Sequence, residues 1–359
     1  MAIILVFLVQ GLLIRILPKR YYRIIAFATV IVLAYMSFNI VVYEASDLAS
    51  HHQQIDYYRS LGWSFAVDYD RLSGNVLTAV SYWLVSFLEN DNWYQTIAIF
   101  IIYSCLFSLI WKVAEDNEYD NKWLCKTTLF VTLCFSYYLA IFAVRIWIVF
   151  AVLALCFYVD CVRNKHKLLC WSIYILCVLF HYATLLLLVS RIAIFFVSNS
   201  DKTFGRYVKL FCLSAIIGLV VYFTMQTNFA TYLLDKAIGY DSYEVRGTWQ
   251  TLNCWVRLVM VFVMALLYRK YNPYKTFGKN YALIVIFTFI IAVVQFSNYQ
   301  ITLRFADAVI AFSPLLVMPR SVKTRRFVLS FTDVCMLGAT TVNLVYNLIF
   351  DYRLLHFSF

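Results

Sequence analysis

Four arginines from separate parts of the chain stand in or close to apolar runs long enough to lie in a membrane. They are Arg145, Arg246, Arg257 and Arg304. The planar guanidinium fork of arginine stays charged and forms bidentate bonds to phosphate oxygens, so it suits a diphosphate ligand. An ionisable group inside a span costs about 2.5–3.5 kcal/mol and is functional by default. The alternative for each arginine is contact with lipid headgroups or an ion pair with a neighbour such as Asp307.

An acidic residue beside paired tyrosines forms a second candidate set. Asp56, Tyr57 and Tyr58 are followed directly by Arg59. Tyrosine rings can stack on a sugar, and a carboxylate can bind sugar hydroxyls or take a proton from one of them as a general base. The alternative for Asp56 is a plain loop carboxylate paired with Arg59.

His181 lies between two apolar runs and is the third candidate. An imidazole there suits proton transfer or phosphate binding, whereas the alternative is a hydrogen-bonded histidine between helices. Arg191 and Asp333 fall inside apolar runs, where an internal ion pair and a functional role stay equally open. His51 and His52, together with most acids of the same hydrophilic segment, are predicted to be solvated loop residues.

The elements that must position these residues are membrane helices. Of the 359 residues, 63% are hydrophobic and 14% are charged, whereas roughly a quarter are charged in soluble domains. A span takes about 20 mostly apolar residues. Twelve spans are predicted, near residues 2–14, 24–43, 93–111, 127–143, 146–162, 168–181, 183–199, 210–225, 252–268, 281–297, 305–318 and 327–349. The first run is interpreted as a retained helix, and residues 1–359 as one all-α transmembrane domain.

The distribution of charge predicts the side of the membrane on which each loop lies. Six alternate loops hold 21 of the 30 basic residues, and the positive-inside rule assigns them to the cytoplasm. The net charge of +11 therefore reflects topology and not a nucleic-acid partner. Two long segments, 44–92 and 226–251, then face outward. The apolar stretch 76–88 is predicted to be a re-entrant or interfacial helix, because counting it as a span places the next basic loop outside.

The order of these features resembles the EpsG/Wzy-type bacterial polysaccharide polymerases. Their central block has an arginine, an apolar helix, a basic turn, a second apolar helix, a Phe-His pair and aliphatic residues. The corresponding residues here are Arg145, Arg163-Asn164-Lys165-His166-Lys167, Leu179-Phe180-His181 and Ala183-Thr184-Leu185-Leu186. The Asp56-Tyr57-Tyr58 stretch and the late Arg304 also match the layout of that family.

The resemblance implies a GT-C-like glycosyltransferase at the outer face of the bacterial cytoplasmic (inner) membrane. Such enzymes transfer a growing glycan from undecaprenyl diphosphate onto the non-reducing end of a lipid-linked repeat unit, without a metal or other cofactor. The implied partners are the undecaprenyl-diphosphate-linked oligosaccharide, membrane lipid and a chain-length regulator protein. Asp68-Tyr69-Asp70 departs from the family pattern, because Asp-x-Asp binds metal diphosphates in other glycosyltransferases.

The resemblance also implies roles for individual residues. Arg145 and Arg304 match the arginines that hold the donor diphosphate and stabilise its charge as it leaves. Asp56 matches the family's acidic position and is the first choice as base, and His181 matches the family's histidine. Further ligands predicted from the residues alone are Arg246 and Arg257 for the diphosphate, and Tyr57 and Tyr58 for the sugar.

Three other functions stay open at this point. A lipid-linked glycan ligase uses the same chemistry, but ligases usually have one large late outer loop, whereas the larger loop here is early. A flippase or transporter for lipid-linked oligosaccharide is expected to have charge at all depths, whereas charge here is predicted to concentrate at the outer edge. A membrane O-acyltransferase needs a histidine accessible from the cytoplasm, and His181 is predicted on the other side.

Overall fold

The computed structural model of this chain describes residues 2–44, 46–67, 76–181, 184–198, 248–271, 276–294, 299–318, 326–351 and 355–357. All regular elements of these residues are helical, apart from an isolated antiparallel bridge between Ile40 and Phe357. The α-helices, numbered in chain order, are α1 Ala2–Ile16, α2 Tyr22–Phe38, α3 Asp47–Leu61, α4 Ser64–Val67, α5 Val76–Val85, α6 Trp93–Asp116, α7 Asn121–Cys134, α8 Tyr137–Phe142, α9 Val144–Phe157, α10 Lys167–Phe180, α11 Leu185–Ser198, α12 Thr248–Tyr271, α13 Thr276–Val294, α14 Tyr299–Phe312 and α15 Arg326–Tyr346. Short 3₁₀ turns lie at Lys19–Tyr21 and Ser313–Leu316, and π-helical turns extend α9 over Tyr158–Val162 and α15 over Asn347–Asp351. The prediction of an all-α fold is confirmed for the described residues.

Several helices have the length and composition of membrane spans. Among the described residues, five stretches are long and apolar enough to cross a membrane: Lys19–Phe38, Trp93–Asp116, Val144–Val162, Thr251–Lys270 and Phe331–Asp351. Shorter apolar helices lie at Ala2–Ile16, Val76–Val85, Lys167–Phe180 and Tyr281–Val293. Large exposed apolar side chains, such as Leu5, Phe27, Leu168 and Leu337, offer surface to lipid. These helices indicate a membrane protein, but the described residues do not reach the predicted twelve spans, and the predicted span 210–225 lies outside them.

Ring contacts show that α9 and α14 run in the same direction. Phe150 packs against Phe305 with ring centroids 6.5 Å apart, and Phe157 packs against Phe312 at 5.7 Å. The second pair lies seven residues beyond the first on both helices. The two helices are therefore parallel and keep one register over two turns.

Basic and acidic side chains meet where α2 begins and where α6 and α9 end. Arg23 pairs with Glu115 at 3.3 Å, and Arg163 makes two bonds of 2.7 Å to Asp116. We call this the basic end of the protein, and we call the other end, where α6, α9 and α14 begin, the opposite end. Three of the six loops that the sequence assigned to one side of the membrane are thus in contact with one another.

A helix break divides one predicted span. The sequence predicted a continuous span over residues 127–143, but Phe135 and Ser136 are extended, with ψ of 115° and 113°, and separate α7 from α8. The Ser136 hydroxyl caps α8 by accepting a hydrogen bond from the Leu139 amide at 3.2 Å. The break leaves backbone groups of both helices without partners in their own helix.

The described residues of the first long hydrophilic segment, 44–92, form three helices, α3, α4 and α5, whereas one short helix was predicted there. α3 is capped by the Ser46 hydroxyl, which accepts from the Ala49 amide at 3.2 Å, and it ends at Gly62, whose φ of 65° favours glycine. α5 has ten residues and is therefore about 15 Å long, half the thickness of a bilayer core. The re-entrant or interfacial placement of this helix stays a prediction.

Gly11 marks a tight contact between α1 and α7. A Cβ atom at this position would lie 2.8 Å from the side chain of Leu129. We predict that Gly11→Leu lowers the free energy of unfolding by about 1–3 kcal/mol because it overpacks this contact. Thermal unfolding of the purified protein in detergent measures the change, and Leu12→Ala, at an exposed neighbouring position, is the control. Adding Leu129→Ala should restore stability, and a fully stable Gly11→Leu protein would contradict the packing.

Candidate functional site

Arg145 lies in the first turn of α9, at the opposite end, and its side chain is partly exposed. The amino terminus of a helix favours anions, because its first N–H groups have no partner within the helix. The charge of Arg145 acts on His51 of α3, Tyr82 of α5 and Tyr94 of α6. Three helices therefore converge on this arginine.

His51, Tyr82 and Tyr94 pack together beside Arg145, and we call them the His51 cluster. The Tyr82 hydroxyl and His51 Nδ1 are hydrogen-bonded at 2.6 Å. The three ring centroids are 5.3–5.7 Å apart, and all three side chains are buried. Burial, followed by the positive charges of Arg145 and His52, holds the pKa of His51 well below its usual value. The imidazole is consequently neutral at pH 7.

His51 was predicted to be a solvated loop residue, and that prediction is wrong. His51 lies on the buried face of α3 together with Leu48, Ile55 and Tyr58. These four positions follow the three-and-four spacing of an amphipathic helix, which brings them to one side. That spacing is the signal that could have identified a buried histidine in the first outer segment.

Arg304 lies near Arg145 because their helices are parallel neighbours. Arg145 precedes Phe150 by five residues, and Arg304 precedes Phe305 by one residue. Since the rings of Phe150 and Phe305 are paired, a rise of about 1.5 Å per residue puts the two arginines about 6 Å apart in height. Both are partly exposed. The structure thus places two predicted diphosphate ligands on adjacent helices at the opposite end.

Arg257 is enclosed in the protein, with 1% of its side chain exposed. Its Nη1 donates to Asp307 Oδ1 at 2.9 Å and to the Cys134 carbonyl at 3.0 Å. An external ligand could bind this guanidinium only by leaving the buried Asp307 carboxylate without its partner. The structure therefore favours the ion-pair alternative over direct diphosphate binding. Arg246, the fourth arginine, lies outside the described residues.

Asp56 lies on the helix α3, not in a loop. Its side chain is 62% exposed, and its carboxylate pairs with Arg59. The Arg59 guanidinium also bonds the Asp91 carboxylate and donates to the Leu88 carbonyl at 3.0 Å. Asp56 thus forms the ion pair with Arg59 that was its alternative role. Its carboxylate is nevertheless accessible from solvent.

Tyr57 and Tyr58 face different surroundings. Tyr57 is exposed, with its ring centroid 5.2 Å from that of Phe65. Tyr58 is 3% exposed and packs against Phe65 and Tyr82. The prediction that both tyrosines stack on a sugar is corrected, because a ring must be accessible to stack. Tyr57 keeps a surface for a ligand, whereas Tyr58 supports the His51 cluster.

His181 follows the end of α10 and is buried. Its carbonyl accepts a hydrogen bond from the Thr184 hydroxyl at 2.7 Å. The preceding Phe180 carbonyl accepts from the Thr78 hydroxyl at 2.8 Å, which ties the end of α10 to α5. His181 therefore lies beside the helix that contributes Tyr82 to the His51 cluster.

Arg191 and Asp333 both have ion-pair partners, but they do not pair with each other. Arg191 pairs with Asp160, and Asp333 pairs with Lys126, both at 2.7 Å. Asp160 is fully enclosed, and it was not predicted as a buried charge because it follows a long apolar run. Charge is therefore not confined to the opposite end, contrary to the expectation from the sequence.

A metal site or a known relative would indicate which reaction these residues carry out. Across the described ranges, no group of three or more His, Cys, Asp and Glu side chains could hold a metal ion. Asp68-Tyr69-Asp70, the sequence that departs from the polymerase pattern, lies outside those ranges. No protein family, curated protein or solved structure matches the chain.

The buried, neutral His51 predicts a pH dependence of stability. Below the ordinary pKa of 6.5, the unfolded chain takes up a proton at His51 that the folded protein does not. The free energy of unfolding therefore falls as pH falls, by at most about 1.4 kcal/mol per pH unit from this residue. We predict that His51→Asn, which keeps an acceptor for Tyr82, flattens the slope between about pH 5 and 6.5 in denaturant unfolding. An unchanged slope in the variant would show that His51 is not buried.

Proposed function

We propose that this chain is a polysaccharide repeat-unit polymerase of the EpsG/Wzy type. The observation that supports this function is the placement of Arg145 in the first turn of α9 and of Arg304 in the second turn of the parallel neighbour α14, opposite the basic end. Two guanidinium forks at that level suit a lipid diphosphate whose phosphates lie at the membrane surface. The helices α3 and α5, with their aromatic side chains, lie beside Arg145, where the sugars of a lipid-linked glycan have to pass.

A polymerase of this type implies a particular fold and a particular membrane. The chain is then a GT-C-like, multi-pass protein of the bacterial cytoplasmic membrane with about twelve spans. Its basic end faces the cytoplasm by the positive-inside rule, so Arg145 and Arg304 face outward. The proposed partners are the undecaprenyl-diphosphate-linked oligosaccharide, membrane lipid and a chain-length regulator protein.

The proposed reaction joins two lipid-linked glycans. The bond between the reducing-end sugar of the donor and its diphosphate oxygen breaks, and undecaprenyl diphosphate leaves. A hydroxyl of the acceptor's non-reducing-end sugar forms the new glycosidic bond and loses its proton to a base. Arg145 and Arg304 stabilise the charge that develops on the diphosphate. Asp56 is the proposed base because its carboxylate is exposed, and Tyr57 is the proposed stacking surface.

His181 has a different part in this proposal. Its burial against α5 keeps it away from a sugar in solvent, whereas Asp56 is open to one. We therefore assign His181 to the support of α5 and of the His51 cluster, next to the diphosphate site. His181 thus matches the family's histidine position but supports the site, and Asp56 is the proposed base.

A transporter for lipid-linked oligosaccharide is the second candidate, and one observation favours it. Membrane transporters build their sites from broken helices and buried charges, and the α7–α8 break lies against the buried pair of Arg257 and Asp307. Chain-length profiling of surface glycan in a deletion strain separates the candidates. Single-repeat products indicate a polymerase, and absent glycan indicates a flippase or a ligase.

We predict that Arg145→Ala and Arg304→Ala each abolish polymerisation while protein levels stay near wild type. Arg145→Lys and Arg304→Lys should restore little, because a point charge cannot reproduce a bidentate bond to the diphosphate. The measurement is the surface-glycan chain length in a deletion strain complemented with each variant. Arg20→Lys, an exposed change at the basic end, is the control. If lysine works as well as arginine at both sites, anchoring to lipid headgroups becomes the better account.

We also predict that Asp56→Asn slows transfer at least about a hundredfold, because it removes the base while keeping size and hydrogen bonding. Asp91→Asn is a matched control, since both carboxylates bind the same Arg59 and Asp91 is the less exposed of the two. Transfer is measured with purified variants and lipid-linked repeat units in vesicles. Loss of activity in Asp56→Asn alone supports a base. An equal loss in both variants would mean that Asp56 acts through Arg59, and full activity would remove Asp56 from the mechanism.

A further inference from the structure

The α7–α8 break is held together by side chains from three other helices. We call the segment Leu133–Ser136, together with Arg257 and Asp307, the Ser136 joint. Asn343 of α15 bonds the end of α7. Its Nδ2 donates to the Leu133 carbonyl at 2.6 Å and to the Cys134 carbonyl at 3.2 Å. These bonds satisfy carbonyls that have no partner in their own helix.

The charged pair bridges the two sides of the break. Arg257 Nη1 donates at 3.0 Å to the carbonyl of Cys134, which is the last residue of α7. Asp307 Oδ1 accepts from the Ser136 amide at 3.2 Å, directly before α8, and from Arg257 Nη1 at 2.9 Å. The ion pair thus continues the hydrogen bonding across the gap between the two helices. Both side chains are fully buried, so neither can be solvated by water instead.

The same pair connects the two segments that carry the proposed diphosphate ligands. Asp307 follows Arg304 by three residues, about one turn along α14. Ser136 is followed by the six residues of α8 and then by Ala143, after which α9 begins with Val144 and Arg145. The bond from the Ser136 amide to Asp307 therefore links the helix of Arg304 to the short segment that leads to Arg145.

We propose that Arg257 and Asp307 are positioning residues that set the distance between Arg145 and Arg304. This inference rests on the proposed function, because it assigns both arginines to one diphosphate. Arg257 acts on the ligand through the Ser136 joint and does not touch it. A displacement of about 1 Å between two groups that grip one ligand can lower a rate about a hundredfold.

The geometry of Arg257 distinguishes this role from direct binding. Its bonds to Asp307 and to the Cys134 carbonyl both come from the single nitrogen Nη1. A lysine Nζ has three donors and can make both bonds from one atom, whereas it cannot replace a bidentate fork. Arg257→Lys should therefore keep transfer within about tenfold of wild type, whereas Arg145→Lys should lose about a hundredfold or more. An equal loss in the two variants would overturn the positioning role.

The main test removes both charges together. The variant Arg257→Gln/Asp307→Asn removes the guanidinium and the Asp307 carboxylate together, so neither is left buried without the other. The buried Asp351, which accepts from the Ser136 hydroxyl at 3.4 Å, is kept. The matched control is Arg191→Gln/Asp160→Asn, which removes the other buried Arg–Asp pair, toward the basic end. Both proteins are reconstituted at full length in lipid nanodiscs. Two measurements follow: amide hydrogen exchange of residues 136–143, and the affinity for undecaprenyl diphosphate.

We expect the two variants to differ in both measurements. Loss of the Arg257–Asp307 pair should speed exchange in α8 and weaken binding of undecaprenyl diphosphate about tenfold or more, whereas the control should change neither. Wild-type affinity in the Arg257→Gln/Asp307→Asn variant would overturn the inference, and so would equal changes in the control. If α8 responds but the wild-type protein itself does not bind undecaprenyl diphosphate, the proposed function fails and the structural link through the joint stands.

A pair of substitutions at Ser136 tests the same link if the double variant does not fold. Ser136 has φ of −68°, which proline adopts, and Phe135 before it is extended, as a residue before proline must be. Ser136→Pro removes the amide that donates to Asp307 as well as the capping hydroxyl, and Ser136→Ala removes the hydroxyl alone. Affinity for undecaprenyl diphosphate should fall further in Ser136→Pro than in Ser136→Ala. Equal affinities in these two variants would show that the amide bond to Asp307 positions nothing.

Discussion

The buried ion pair between Arg257 and Asp307 is the interaction on which the rest of this protein depends. A helix that stops inside an apolar layer exposes backbone N–H and C=O groups that no water can satisfy. Here the guanidinium and the carboxylate complete the hydrogen bonds of Cys134 and Ser136 at the α7–α8 break. The charges in turn need each other, because either one alone would be buried without a partner. The broken helix and the ion pair therefore stabilise each other.

Arginines of this chain differ in role because their surroundings differ. Arg257 and Arg191 are enclosed and pair with buried carboxylates, Asp307 and Asp160. Arg145, by contrast, is partly exposed at the start of a helix and beside a histidine that its charge helps to keep neutral. From sequence, all of these side chains share one property, a charge beside an apolar run. An arginine that binds a ligand can be told from one that holds helices together only when its contact partner is known. That partner is given by the tertiary structure.

Much of the fold could be predicted because apolar runs and basic loops are local signals. The α5 helix and the contact among the first three basic loops followed from hydropathy and charge. The break at Phe135–Ser136 did not, because no proline or glycine marks it and its causes lie on α12, α14 and α15. For the site, Arg145 and Arg304 were predicted at one end of the protein. The burial of His51 and Tyr58 was missed, although their spacing on α3 contained the signal.

Charges at several depths bear on the choice between an enzyme and a transporter. The sequence suggested that charge concentrates at one edge, whereas Asp160 and Arg191 form a buried pair toward the other end. A charge that binds a transported ligand has to exchange its partner during each cycle, and a fully enclosed ion pair resists that exchange. Pairs such as Asp160–Arg191 therefore serve to join helices. Asp56, by contrast, is exposed on α3 and open to a ligand from solvent. Under the proposed function, this arrangement suits chemistry at one surface better than passage through the protein.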